Sequence, residues 1–85
     1  MIITERVGIL TLGERIKSYR VAQGLSQAQL SGICGIPASQ ISRIESDEVP
    51  GISAWRLAKI AEALGVTTSH LLGEVPFLAD WPRGK

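Results

Sequence analysis

Apolar residues recur at three- and four-residue intervals through most of this chain, and most of these runs begin at a hydroxyl residue and end at a glycine. Thr11-Leu12-Gly13-Glu14 places a hydroxyl three residues before a carboxylate, a capping box, and Leu12, Ile16 and Tyr19 share one helical face as far as Gly24. The box repeats in Ser26-Gln27-Ala28-Gln29, followed by Leu30, Ile33 and Cys34 as an apolar stripe and by Gly35 as a left-handed stop. Pro37 suits the first position of a third helix, whose buried face is Ile41 and Ile44 and whose outer face is Ala38, Ser39, Ser42 and Arg43. A fourth helix starts from Ser53, aligns Ala54, Leu57, Ile60, Ala61 and Leu64, and stops at Gly65. Thr67 caps a short fifth helix with Leu71 and Leu72, which ends at Gly73. The pattern predicts an all-α five-helix bundle.

Two segments depart from helical spacing. Residues 1–10, with Ile2-Ile3 and Val7-Gly8-Ile9-Leu10, suit an extended arm or a strand, and 74–85 form a tail whose prolines and aromatics point to irregular structure. The single domain is therefore 11–73. At 85 residues and 9.1 kDa, folding buries about 60 to 65% of the unfolded surface, too little for a deep catalytic cleft. No run approaches the roughly 18 apolar residues of a membrane span, and the N-terminus lacks the basic-then-apolar order of a signal peptide. Cys34, without a partner in the chain, reads as a small buried hydrophobe in a reducing, cytoplasmic setting.

The stretch "SQAQLSGICGIPASQISRIES" carries the functional signal. Two short helices joined by a turn of about three or four residues and packed on a third make a helix-turn-helix, whose second helix can enter a major groove about 12 Å wide. Gly35 and Pro37 set the angle, and Leu30, Cys34, Ile36, Ile41 and Ile44 hold it by burial, which leaves the outer face free to be polar. Net charge argues less strongly, since +1 and a pI near 7.9 fall short of the value above about 9 common for nucleic-acid-binding domains. Arg15, Lys17 and Arg20 nevertheless cluster, away from Glu74 and Asp80.

In "RIKSYRVAQGLSQAQL", "GIPASQISRIES" and "AEALGVTTSHLLG" the chain resembles the lambdoid phage repressors and Cro, the Xre-type helix-turn-helix family, over roughly residues 11 to 73. The resemblance implies the lambda-repressor-like fold and a dimeric, sequence-specific transcriptional regulator, most often a repressor, on a palindromic operator in double-stranded DNA. It implies base reading by Ala38, Ser39, Ser42 and Arg43 from a recognition helix over 37–45. It also implies phosphate contact or positioning by Gln27, Gln40, Ser46 and Arg20, with Arg20 pairing Glu45. Arg43 leads for specificity, because an arginine donates two hydrogen bonds to guanine, worth about 1 to 3 kcal/mol of discrimination. Thr68, Leu71 and Trp55 are the residues read for a dimer interface.

The departures from the family pattern also matter. Asp47-Glu48 replaces a glycine and a basic residue after the third helix, so two carboxylates are expected toward the phosphates; Asp47 can take the left-handed conformation. Ser31 stands where alanine is preferred, and Gly32 costs about 1 kcal/mol inside a helix. His70 is the one histidine and has no evident companion ligand, so neither a metal nor a cofactor is expected. No nucleophile and base, paired carboxylates or phosphate-binding glycine loop suggests an enzyme. The competing reading is a protein-binding module, an antitoxin that occludes a partner toxin through the arm or the tail of Phe77 and Trp81 and autoregulates its operon.

Overall fold

Local capping chemistry accounts for where four of the five helices start in the structure, a computed structural model that describes residues 10–74. The arm expected over 1–9 and the tail after Glu74, with Phe77 and Trp81, lie outside the described residues. Five helices follow in order: α1 (Leu12–Ala22), α2 (Gln27–Cys34), α3 (Ala38–Glu45), α4 (Ala54–Leu64) and α5 (Thr68–Leu72). Thr11 Oγ1 accepts from the Glu14 amide at 3.1 Å while the Thr11 amide donates to Glu14 Oε1 at 2.9 Å. Ser26 and Gln29 repeat the exchange at 3.0 and 2.7 Å. A third box stands at Thr67, where His70 Nδ1 accepts from the Thr67 amide at 3.2 Å, which gives the lone histidine a structural role. Ser53 caps α4 by accepting from the Arg56 amide.

The predicted third helix starts one residue late. Pro37 is extended, with φ −54° and ψ 142°, and serves as the N-cap, so α3 begins at Ala38. Its missing N–H still costs nothing there, because amides at a helix start have no intrahelical acceptor. Before it, Gly35 takes φ +80° and ends α2, a conformation a β-carbon would strain.

The helices enclose one core in which Ile16, Tyr19, Leu30, Ile36, Ile41, Ile60, Leu64 and Leu71 are fully buried. Helix α1 packs on α3, α4 and α5, and α2 on α3 and α4. Helix α3 packs mainly against α1 and α2, so its remaining surface is left uncovered. Ile33 does not join the α2 stripe and is 57% exposed. At about 100° per residue it falls to one side of the Leu30 and Cys34 line, and a helix of two turns offers only a narrow arc to its neighbours. Ala54, expected on the inner face of α4, is exposed as well.

Two glycines illustrate opposite packing constraints. Gly13 is buried where the first turn of α1 crosses the last turn of α3; a β-carbon there would come within 2.5 Å of the Ile44 and Glu45 carbonyl oxygens and 2.8 Å of the Asp47 carboxylate. Gly32, inside α2, has nothing within 4 Å of the same position. Gly13→Ala is expected to destabilise the fold by about 2 to 3 kcal/mol, since backbone cannot move aside cheaply. In contrast, Gly32→Ala is expected to stabilise it by about 0.5 to 1 kcal/mol. Urea unfolding of both variants, with unchanged m-values, measures the contrast.

Candidate nucleic-acid interface

What holds α3 at its angle is a buried polar cluster at its C-terminal end. Arg20 Nε donates to Glu45 Oε2 at 2.6 Å and Nη2 to Oε1 at 3.0 Å, a bidentate pair between α1 and α3. Arg20 Nη1 donates to the Leu25 carbonyl at 2.7 Å, which ties in the loop before α2. Gln27 Nε2, from the first residue of α2, donates to Glu45 Oε1 at 3.0 Å. One carboxylate therefore gathers both elements that support α3. Arg20 and Glu45 are 8% and 6% exposed, and no buried side-chain polar atom among the described residues lacks a hydrogen bond.

This geometry revises the expected role of Arg20. Arg20 is enclosed, its side chain 10% exposed, so it braces the motif from within and does not present its guanidinium to a phosphate. Gln27 is half-buried at the helix start, where its amide donates to Glu45.

The turn after α3 forms a second tie. Asp47 adopts φ +59°, the left-handed conformation expected of it. Its carboxylate, however, turns inward: Thr11 Oγ1 donates to Oδ2 at 2.6 Å and the Gly13 amide to Oδ1 at 3.1 Å. Asp47 thus satisfies a free amide at the positive end of α1 and is not aimed at a duplex. Glu48 alone of the two acids stays outward, near Arg43.

On the uncovered side of α3, Ser39 and Arg43 are exposed and Ala38, Ser42 and Gln40 are half-buried, while Ile41 and Ile44 point into the core. Ser46, the C-cap residue, is exposed beside them. Gln40 and Arg43 also line a shallow groove with Ile44, Val49 and Arg56. Sequence spacing contained no signal for Arg56, because the loop between α3 and α4 alone brings it to this face. Polar donors from α3 and α4 thus line one shallow groove.

Of the residues read for a second subunit, Trp55 is 62% exposed with Lys59 Nζ 5.9 Å from its ring centroid, and Thr68 is half-buried. Leu71 is different. It is fully buried in the core of the domain, so its side chain is not available to a partner; Leu72 beside it is 47% exposed.

A helix-turn-helix family model matches residues 16–71. The immunity repressor protein of Bacillus phage phi105 is 36% identical over 72 residues, covering 84% of this chain and 49% of the relative. The HTH-type transcriptional regulator PuuR of Escherichia coli strain K12 is 37% identical over 75 residues, covering 87% and 39%. The chain therefore spans about half or less of the length of these curated relatives. Among solved structures, the biofilm regulator SinR in complex with DNA superposes with a TM-score of 0.69 at 33% identity, over 72% of this chain and 97% of that one.

If the Arg20 and Glu45 cluster braces α3, Glu45→Ala should cost about 3 to 5 kcal/mol, because it strands a buried guanidinium. Replacing both residues with apolar ones, Arg20→Met with Glu45→Leu, should cost clearly less. Chemical denaturation of the single and double variants tests this, and equal losses would contradict it.

Proposed function

Given that the chain belongs to the helix-turn-helix family, we propose that it is a sequence-specific DNA-binding transcriptional regulator with α3 as the recognition helix in the major groove. The supporting observation is the division of α3: Ile41, Ile44 and Glu45 are fastened to the domain, while Ser39 and Arg43 project from the side that no helix covers. A helix held this way presents side chains to base edges without cost to the core.

Within this reading Arg43 donates to a guanine, Ser39 and Ser42 each make single hydrogen bonds, and Ala38 meets a thymine methyl. Ser46 and Gln27 contact the phosphate backbone on either side of α3, Gln27 through donor capacity left after it binds Glu45. Gln40 orients Arg43 along their shared groove. The protein acts as a repressor in the cytoplasm, where it binds a palindromic operator as a homodimer whose half-sites lie about 34 Å apart. Trp55, Thr68 and the exposed Leu72 provide surface for that dimer.

Selection of bound duplexes from a random-sequence pool, at a stated salt concentration, should give a two-fold-symmetric motif. Arg43→Ala should then lose about tenfold in preference at one base pair per half-site and leave the other positions unchanged. An unaltered motif for that variant would contradict the assignment of Arg43.

A further inference from the structure

The end of α3 places a carboxylate beside the arginine that faces outward. The Glu48 amide donates to the Arg43 carbonyl at 2.9 Å and the Asp47 amide to that of Ile44 at 3.0 Å, the paired bonds of a Schellman turn. Such a turn sets the residues at the positions of Glu48 and Arg43 against each other, and apolar side chains frequently meet there. Here the two are charged. Arg43 Nε lies 3.8 Å from Glu48 Oε1, and their side chains are 64% and 59% exposed.

The backbone imposes this neighbourhood on the two side chains. Asp47 holds the turn through its left-handed φ and its bonds to Thr11 and Gly13, so Glu48 leaves the chain at a defined place. An ion pair so exposed adds little to folding. Its effect falls on the arginine, whose long side chain otherwise samples many rotamers. A carboxylate 3.8 Å from Nε attracts the guanidinium without hydrogen-bonding it and narrows its range, and the two N–H donors of the Nη1 and Nη2 end fit the O6 and N7 acceptors of guanine.

We propose that Glu48 is a positioning residue that sets base specificity through Arg43, a proposal that rests on Arg43 being the base-reading arginine. Two effects of opposite sign follow. Restraint of Arg43 sharpens discrimination at its base pair. The negative charge next to the phosphates, meanwhile, weakens attachment to every sequence alike. A residue that only stabilised the fold would change binding to every duplex alike and leave the preference at that base pair unchanged.

The test uses the full chain and the Glu48→Gln and Arg43→Ala variants. Duplexes are first selected from a random-sequence pool by the unmodified protein. The dissociation constant of each variant is then measured on the selected duplex, on its single base-pair substitutions and on a duplex of random sequence, at two salt concentrations. Glu48→Gln should reduce preference about fivefold at the base pair whose preference Arg43→Ala abolishes, and spare the others. It should also tighten binding to the random duplex about threefold, with a steeper salt dependence. Full preference retained at that base pair, or a uniform loss across all positions, overturns the role of Glu48 while leaving Arg43 as the reader. If Arg43→Ala itself keeps every preference, the reading of Arg43 fails, and the role of Glu48 with it.

Discussion

The carboxylate of Glu45 is the point on which the geometry of this protein depends. It ends α3, where a negative charge meets the negative end of the helix dipole, and it is nearly excluded from water. Left alone, it would be expelled. The bidentate guanidinium of Arg20 and the amide of Gln27 make the site tenable, and in doing so they bind α1 and α2 to the same two oxygen atoms. Such a cluster contributes less to net stability than its hydrogen bonds suggest, because desolvation offsets much of the attraction. Its product is an angle: α3 is free to vary on its outer side only because its inner end has one permitted placement.

Features that depend on a few neighbouring residues were legible in the sequence. The capping boxes at Thr11 and Ser26, the glycine stop at Gly35 and the inward Ile41 and Ile44 follow from side-chain reach and helical period, and all appear in the structure. Pro37 fell one position off, within the ordinary uncertainty of a helix end. The errors arose where burial is decided by distant elements. Ile33 matches the spacing of a core residue but stays 57% exposed beside a depression that it shares with Lys59 and Glu62 of α4, and Leu71 serves the core of the domain although its neighbour Leu72 does not.

The candidate site shows the same division. Ser39 and Arg43 emerged on the open face as their helical positions required, since the period of α3 relative to Ile41 and Ile44 determines them. Asp47 did not behave as its charge suggested, because its partners, Thr11 and Gly13, lie far back in the chain and meet it only after α1 and α3 pack. Arg56 joined the groove for a similar reason. The modest net charge of +1 likewise says little about the face itself, where the placement of Arg43, Arg56 and Glu48 governs the local field.

Where Gly13 lets α1 rest on the end of α3, backbone meets backbone, and the carboxylate of Asp47 is the side chain that reaches the joint. Such a joint cannot drift as neighbouring residues are exchanged, in the way that a layer of interdigitated side chains does. The outward residues of α3 can therefore be exchanged, and the face given a new set of contacts, on a scaffold that does not have to be re-solved each time.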